Sequence, residues 1–256
     1  MKSKGVKDVV RDKYAYIAER SQQDCCSCSK CCGATNSSTL AEVVGYMKKD
    51  LEIIPKEASL GLGCGNPVAI AELSEGETVL DLGSGAGMDV FLAANKVGTN
   101  GRVIGVDMTK EMIDKASAIA RSNGYENVEF RLGEIEDLPV DACSLDTVIS
   151  NCVINLSPDK SKVFREAFRV LKPEGKLIVS DIVSENQLPD GIRENLDAWV
   201  ECVAGALEQQ EYLGRIREAG FRDLQVVSNG EFCVEDTENK EMVKLLSITV
   251  KAYKCN

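Results

Sequence analysis

From Glu77 onward, short runs of β-branched and other apolar residues alternate with longer amphipathic runs. The short runs have the length and composition of buried strands; they are TVLDLG, RVIGVD, VEFRLG, LDTVISN and KLIVSDIV. The longer runs have helical periodicity; they are MDVFLAANKV, KEMIDKASAIARSNG and SKVFREAFRVLK. Gly124 and the KPEG turn at 172–175 are typical of positions where helices stop. The alternation predicts a βαβ series, and hence an α/β fold with a doubly wound, mostly parallel sheet.

Two segments flank this predicted core, which we place at residues 76–183. Residues 1–75 are expected to hold two or three helices and loops that cap the core. Residues 184–256 begin with a polar loop and continue through an amphipathic stretch, GIRENLDAWVECVAGAL, and a helix, EQQEYLGRIREAGF. Two late strand candidates, DLQVVS and KLLSITVKAYK, are expected to pair with each other and complete the sheet.

The charge balance narrows the range of functions. The chain has 256 residues, 44% of them apolar and 28% charged, which is enough to bury a full core. It carries 30 Lys and Arg against 41 Asp and Glu, a formal net charge of -11, which argues against nucleic acid as a partner. No stretch approaches the roughly 20 apolar residues of a membrane span, and the start is charged without an apolar signal core. We therefore expect a cytoplasmic protein with no membrane partner.

Eleven cysteines are the unusual feature of the composition. Five of them crowd into DCCSCSKCC, namely Cys25, Cys26, Cys28, Cys31 and Cys32. In a reducing cytosol such thiols stay free or bind a soft metal or metalloid. The C-x-x-C pair formed by Cys28 and Cys31 is able to bind a metal ion, although a redundant thiol-rich loop explains the cluster equally well.

A glycine-rich turn follows the first strand of the core. VLDLGSGAGMDV passes from strand to helix through Gly83, Gly85 and Gly87, whose missing side chains let a ligand lie against the backbone. Asp107 ends the next strand 20 residues beyond Gly87, where a carboxylate that binds a ribose diol belongs. The GSGAG spacing differs from the G-x-G-x-x-G of dinucleotide enzymes, and Asp81 adds a carboxylate able to face an ammonium or sulfonium. The loop therefore favours a positively charged cofactor over NAD.

These features resemble those of the class I S-adenosylmethionine-dependent methyltransferases. The likeness rests on DLGSGAG, VDM, LGEIEDLP and KPEGKLIVSD, and it covers about residues 76–183. It implies a Rossmann-like sheet of seven strands, with an N-terminal helical cap and C-terminal elements on the substrate side. It also implies S-adenosylmethionine as cofactor, bound by Asp81, Gly83, Ser84, Gly85, Gly87, Asp107, Met108, Gly133, Glu134, Ile135 and Asn151.

Cys152 lies just after the strand LDTVIS, at the edge of the sheet where ligands bind in open α/β folds. Taken alone, such a cysteine is most often a small buried apolar residue. Cys64, in the glycine-rich LGLGCGNP, and Cys202, in WVECVAGAL, both lie in segments able to fold over the same crevice. Three thiols there indicate a thiophilic ligand. Zinc is the simplest alternative, but these cysteines are separated by 88 and 50 residues, unlike the closely spaced pairs of structural zinc sites.

Trivalent arsenic is a ligand of different chemistry, since it binds three thiolates in a pyramid and keeps a lone pair that can attack a sulfonium methyl. Such a nucleophile has no proton to lose, whereas oxygen and nitrogen acceptors commonly need a general base, most often histidine. The chain contains no histidine. This is compatible with an arsenic acceptor, although Asp or Glu is an alternative base for an organic acceptor.

Three further motifs, LGCGNPVAIAEL, SNCVINLSPDK and ECVAGALEQQEYLGRIREAGF, resemble those of the arsenite methyltransferases. Together with the core, they extend the likeness from about Gly61 to Phe221. The resemblance implies that Cys152 and Cys202 hold As(III), and that Cys64 joins them or resolves a disulfide during turnover. It further implies an N-terminal partner cysteine for Cys64, and Cys32 is the candidate nearest the helix that follows. A thiol reductant, either thioredoxin or a small thiol, completes the expected set of partners.

The sequence therefore predicts an enzyme that transfers methyl groups from S-adenosylmethionine to arsenite held by thiols. Two alternatives stay open. One is a methyltransferase with the same cofactor that acts on oxygen or carbon of a small organic acceptor. The other is a metalloid- or zinc-binding protein for sequestration or sensing that no longer turns over. The complete set of Gly83, Gly85, Gly87 and Asp107 counts against this last alternative.

Overall fold

A mixed sheet with strand order β3-β2-β1-β4-β5-β7-β6 organises the chain. The computed structural model describes residues 5–19, 41–42, 44–235, 240 and 242–255. The strands are β1 (Thr78–Leu82), β2 (Arg102–Asp107), β3 (Val128–Leu132), β4 (Leu145–Asn151), β5 (Leu171–Ser184), β6 (Arg222–Glu235) and β7 (Met242–Tyr253). Strands β1 to β5 pair in parallel, and β7 runs antiparallel to both β5 and β6. This confirms the predicted fold class, including the pairing of the two last strands.

The helices connect and cover these strands. Those within the described residues are α1 (Val6–Glu19), α2 (Lys48–Glu52), α3 (Pro67–Ile70), α4 (Met88–Val97), α5 (Lys110–Ser122), α6 (Lys160–Val170), α7 (Asp190–Arg193), α8 (Leu196–Val200) and α9 (Gln209–Glu218). Short 3₁₀ turns lie at Lys56–Ala58 and Ile154–Leu156. In the part of the chain that the structure describes, no helix is long and apolar enough to cross a bilayer.

Local sequence explains where the core helices begin and end. Buried residues of α5 recur at helical spacing, so one face of the helix packs inward; they are Met112, Ile113, Ala116, Ile119 and Ala120. Gly124 follows this helix with a positive φ of 70°, a conformation that glycine adopts without strain. The side chain of Asp159 caps α6 by accepting a hydrogen bond from the backbone N–H of Lys162 over 2.9 Å.

Among the described residues, three apolar clusters hold the elements together. One packs Phe164 of α6 and Tyr212 of α9 against the sheet, and a second packs Phe91 of α4. The third includes Val10 of α1 and Ile192 of α7, and Cys64 and Cys152 pack against it as partly buried neighbours. The third cluster thus places the N-terminal helix beside the cysteines that follow the sheet.

Two sequence expectations differ in detail from the structure. Helix α6 ends at Val170, and the KPEG residues form an irregularity at the start of β5, where Leu145 pairs with Leu171 but Thr147 pairs with Lys176. The amphipathic stretch 191–207 contains two short helices. The first ends at Arg193, and the side chain of Asn195 starts the second, α8, by accepting hydrogen bonds from the N–H groups of Asp197 and Ala198. The cluster Cys25–Cys32 lies outside the described residues.

Candidate active site

A cavity of about 940 Å³ opens beside the carboxyl ends of β1, β2 and β4. The strand order reverses between β1 and β4, which is the point where ligands bind in open α/β sheets. Of the predicted cofactor residues, eight line this cavity; they are Asp81, Gly83, Ser84, Gly85, Asp107, Met108, Ile135 and Asn151. All three cysteines predicted to handle arsenic line it as well.

The glycine loop after β1 gives the cavity a wall of bare backbone. Gly83 and Gly85 have positive φ angles of 66° and 52°. A Cβ atom at Gly83 would lie 2.3 Å from Cγ2 of Val153, whereas one at Gly85 would have no atom within 4 Å. Gly83 is therefore required for close packing, and Gly85 leaves open space toward the cavity. The hydroxyl of Ser84 is buried and has no hydrogen-bond partner among the described residues.

Three buried carboxyl groups lie in this wall: Asp81, Asp89 and Asp107 are 3%, 7% and 9% exposed. Asp107 accepts hydrogen bonds from the N–H groups of Gly85 and Thr109. Burial raises the pKa of Asp81 well above its usual range, and the neighbouring Asp89 and Asp107 charges raise it further. Burial also raises the pKa of Asp89 to about 6, although hydrogen bonds from Tyr46 and Asn151 oppose that shift. A positively charged ligand beside these groups would favour their ionised forms, so the wall is suited to such a ligand.

Cys152 begins the turn after β4. Its N–H donates to the carbonyl of Ser180 over 2.8 Å, and its φ angle is 57°, in the left-handed region that residues with a Cβ rarely adopt. Cys202, after α8, has the same kind of backbone, with φ of 62°, and is buried. Such strained backbones persist where the surrounding structure holds them, often at functional sites.

The thiols meet around Cys152. The Sγ atoms of Cys64 and Cys152 and a carboxylate oxygen of Asp181 all lie within 4.8 Å of one another. Cys202 is not part of that group, but its thiol donates to the carbonyl oxygen of Cys152 over 2.8 Å. The backbone N–H of Cys64 donates to Oδ1 of Asn151 over 3.0 Å. The structure therefore brings together three cysteines that are far apart in sequence.

The thiols are held in the protonated form. A hydrogen bond with Cys202 lowers the pKa of Cys152, but the hydrogen bond with Cys64 and burial outweigh it, and the pKa ends well above its usual value. The pKa of Cys202 is also well above its usual value, because the hydrogen bond with Cys152 and burial both raise it. For Cys64, the hydrogen bond with Cys152 lowers the pKa, yet burial and the charge of Asp181 leave it raised. Near neutral pH the site presents neutral thiols.

A buried polar group lies behind the thiols. Asp181 is fully buried and accepts hydrogen bonds from the hydroxyl of Tyr212 over 3.1 Å and from the N–H of Ile182 over 3.0 Å. Burial raises the pKa of Asp181 to about 7, although these hydrogen bonds and the charge of Lys160 oppose the shift. Lys160 is also buried, and donates to the carbonyl oxygens of Asn155 and Ser157.

Helix α1 covers the cavity and spans from the cofactor side to the thiol side. Lys7 pairs with Glu134 at 2.9 Å and with Glu136 at 2.8 Å. The hydroxyl of Tyr14 donates to the carbonyl of Val200 over 3.4 Å, near Cys202. The helix thus contacts both ends of the cavity.

Some predicted residues lie outside the cavity wall. Gly87 is the N-cap of α4 and packs on Phe130, while Gly133 packs against Pro139. Glu134 is nearly half exposed and pairs with Lys7, so its position is at the rim rather than in the wall. Cys32 lies outside the described residues.

Several residues that line or support the site were not predicted from the sequence. Tyr46, Asp89 and Tyr14 line the cavity, and Asp181 lies behind the thiols. Asp89 lies in the first turn of α4, next to the glycine loop, and this position in the sequence is what could have indicated its role. The tyrosines had no signal, because a tyrosine at helical spacing is most often a core residue.

Comparisons with known proteins identify relatives of this chain. Residues 73–220 match a family model described as a methyltransferase domain. An arsenite methyltransferase of Halobacterium salinarum is 44% identical over 260 residues, covering 97% of this chain and 66% of the relative. Another, of Aquipseudomonas alcaligenes, is 36% identical and covers 96% of this chain and 71% of the relative. The chain belongs to the arsenite methyltransferase family.

A solved structure supports this family assignment. The crystal structure of CrArsM, an arsenic (III) S-adenosylmethionine methyltransferase from Chlamydomonas reinhardtii, superposes with a TM-score of 0.68 at 37% sequence identity. The match covers 85% of this chain and 73% of that one. The present chain spans about two thirds of the length of the two curated relatives named above, namely 66% and 71%.

Proposed function

We propose that the chain transfers methyl groups from S-adenosylmethionine to arsenite, As(III), bound by Cys64, Cys152 and Cys202. One observation carries this proposal: the Sγ atoms of Cys64 and Cys152 lie within 4.8 Å of each other in the wall of a cavity that the glycine loop also lines. A thiophilic substrate held there would lie next to a bound cofactor. Membership of the arsenite methyltransferase family supports the same activity.

The residues of the cavity fit S-adenosylmethionine. The cofactor carries an ammonium and a sulfonium, and buried Asp81, Asp89 and Asp107 supply the opposite charge. Gly85 leaves space against the backbone, and the buried Ser84 hydroxyl offers a hydrogen bond that no described residue uses. Asp107 and Met108 would hold the ribose side, and Ile135 the adenine. When bound, S-adenosylmethionine supplies an electrophilic methyl group on its sulfonium.

The thiols are suited to take arsenite from water. Each thiol replaces one hydroxyl of arsenous acid, and the thiol proton leaves with that hydroxyl as water, so the exchange releases no net H⁺ to the solution. The raised pKa values of the three cysteines are therefore compatible with binding. Cys152 lies between the other two, because Cys64 approaches its sulfur and Cys202 donates to its carbonyl.

The arsenic lone pair explains why the site needs no general base. The substrate atom has no proton to lose, so the protein has only to position it and exclude water. The chain has no histidine, and the buried Asp181 already accepts from Tyr212 and Ile182. Positioning by three thiols from separate segments is the main contribution of the protein.

Return of the product to the trivalent state requires two electrons. Forming an arsenic–carbon bond with the lone pair breaks the bond between the methyl group and the sulfonium, releases S-adenosylhomocysteine and raises arsenic by two oxidation levels. Cys64 and Cys152 can supply those electrons: their two bonds to arsenic break, and their sulfur atoms, which lie within 4.8 Å of each other, join in a disulfide. We infer that Cys32 or another cysteine of the N-terminal cluster resolves this disulfide, and that thioredoxin or a small thiol reduces it in turn. Such chemistry belongs in the reducing cytoplasm, where thiols stay free.

The test is chromatography with mass-spectrometric detection of arsenic, after mixing the full chain with arsenite, S-adenosylmethionine and dithiothreitol. The expected result is methylated arsenic from the wild type and none from Cys152→Ser. No product, from protein that binds both cofactor and arsenite, would support sequestration instead. Failure to bind arsenite would support an organic acceptor, and either result contradicts the proposal.

A further inference from the structure

Asn151 joins the loop of Cys64 to the wall of the cofactor cavity through one side chain. Its Oδ1 accepts from the backbone N–H of Cys64 over 3.0 Å. Its Nδ2 lies 2.8 Å from the hydroxyl oxygen of Tyr46, 2.8 Å from the carbonyl oxygen of Gly65 and 3.1 Å from Oδ2 of Asp89. A single amide therefore contacts both the thiol loop and the carboxylate wall.

Tyr46 closes this network on the cavity side. Its hydroxyl donates to Oδ1 of Asp89 over 2.7 Å, and its ring is buried. The two oxygens of Asp89 thus accept from two different donors, Tyr46 and Asn151. Each of the three side chains fixes the orientation of the others, as is usual in a buried hydrogen-bond network.

The loop of Cys64 is held in place by contacts with Asn151 and with Ser247. A Cβ at Gly63, where φ is 117°, would lie 2.8 Å from Nδ2 of Asn151, so the loop lies directly against the amide. The hydroxyl of Ser247 donates to the carbonyl of Cys64 over 2.6 Å. The backbone of Cys64 is therefore held at both its N–H and its carbonyl.

The charge of Asp89 connects this network to a cofactor. Asp81 and Asp89 are both buried carboxylates in the cavity wall, and their charges repel. A cationic ligand beside them favours their ionised forms. An ionised carboxylate only accepts hydrogen bonds, which is the form that suits donation from both Tyr46 and Asn151.

We propose that the hydrogen bonds among Tyr46, Asp89 and Asn151 link the cofactor cavity to the Cys64 loop, so that a cationic cofactor and a thiol-bound trivalent arsenical strengthen each other's binding. This inference rests on the proposed function, because it takes the cavity as the cofactor site and the thiols as the arsenical site. Tyr46 and Asp89 act in it as positioning residues. Coupling between two sites is reciprocal, and factors of roughly 5 to 150 are common.

The experiment measures binding without turnover. Phenylarsine oxide, a trivalent arsenical that bridges two thiols, is titrated into the full chain with and without saturating S-adenosylhomocysteine, which keeps the ammonium but has no methyl to transfer. Trp199 reports on the thiol site, because it is the one tryptophan of the chain and lies three positions before Cys202. The cysteines of the N-terminal cluster are distant in sequence from this reporter.

The variant is Tyr46→Phe, and the matched control is Tyr125→Phe, which loses a hydroxyl that pairs with Asn95 away from the cavity. The wild type and the control are expected to bind the probe at least roughly fivefold more tightly with S-adenosylhomocysteine. Tyr46→Phe is expected to show a ratio near one. Should it fail to fold, Asp89→Asn serves instead, since an amide offers only one acceptor oxygen for the two donors.

A wild-type ratio of one, or an unchanged ratio in a folded Tyr46→Phe or Asp89→Asn protein, overturns the linkage. Methyl transfer to arsenite by the wild type is assayed separately. Its absence contradicts the proposed function, whereas intact methyl transfer with an unchanged ratio contradicts the linkage alone.

Discussion

The thiol of Cys202 donates to the carbonyl oxygen of Cys152 over 2.8 Å, across 50 positions of sequence. Both residues have left-handed backbones, with φ angles of 57° for Cys152 and 62° for Cys202. This conformation costs about 1 to 2 kcal/mol for a residue with a Cβ. Packing around the two cysteines therefore holds them in a backbone conformation that glycine would adopt without strain.

Replacing the central thiol should weaken arsenical binding. Cys152→Ser keeps the shape of the side chain but removes the sulfur, and we expect at least a roughly tenfold loss of affinity for phenylarsine oxide, or about 1.4 kcal/mol. A titration with phenylarsine oxide, followed by Trp199 fluorescence, measures this affinity. Cys143→Ser is the matched control, because Cys143 has a similar φ of 52° but is exposed and lies outside the cavity wall. Equal affinities in the two variants would contradict the assignment.

A methyl group at Gly85 should block the cofactor without unfolding the protein. A Cβ there meets no atom within 4 Å, so Gly85→Ala is expected to cost about 1 kcal/mol of stability through its positive φ. Affinity for S-adenosylmethionine, measured by calorimetry, should fall at least roughly tenfold because the methyl group occupies ligand space. Gly124→Ala carries similar strain, with φ of 70° and equally open space, outside the cavity. If Gly124→Ala lost cofactor affinity equally, strain and not contact would be the cause.

Cofactor binding should weaken in mild acid. Burial raises the pKa of Asp89 to about 6, so this carboxyl becomes protonated as the pH falls through 6 and no longer attracts a cation. Affinity for S-adenosylmethionine is expected to rise from pH 5 to pH 7 and then level off. Calorimetry on Asp89→Asn isolates this contribution from those of Asp81 and Asp107, and its affinity should depend less steeply on pH. If the affinity of the wild type and that of Asp89→Asn changed equally with pH, the role of Asp89 would be contradicted.

The buried hydroxyl of Tyr212 should stabilise the fold. Tyr212→Phe removes one donor to the fully buried Asp181, leaving that oxygen without the partner 3.1 Å away. We expect a loss of about 1 to 3 kcal/mol in the free energy of unfolding, measured with urea. Tyr125→Phe removes an exposed hydroxyl and should change it much less. A similar loss in both variants would assign the effect to the aromatic ring environment rather than to Asp181.

Much of the fold follows from local patterns in the sequence. The alternation of apolar and amphipathic runs predicted the parallel strands, and the final two runs paired as β6 and β7 as expected. The position of Cys152 beside the cavity followed from one rule, that ligands lie at the carboxyl ends of parallel strands. These features depend on contacts near in sequence or on general geometry.

The supporting residues of the site depend on distant contacts instead. Tyr46 bonds to Asp89 across 43 positions, and Asn151 bonds to Cys64 across 87. The sequence around Asp181 is that of an ordinary buried strand, and the sequence around Lys160 is that of an exposed helix start. The structure shows that both side chains are buried. No periodicity marks such residues, because their role arises only when separate segments pack together.

The most direct test of the central claim is a single-turnover reaction with S-adenosylmethionine deuterated in its methyl group, equimolar arsenite and fully reduced protein, with no added reductant. Mass spectrometry follows both the arsenic species and the cysteine peptides. The expected result is deuterated methyl on arsenic, together with a disulfide that includes Cys64 or Cys152. Arsenite that stays bound and unmethylated, with Cys64 and Cys152 still reduced, would contradict methyl transfer at this site.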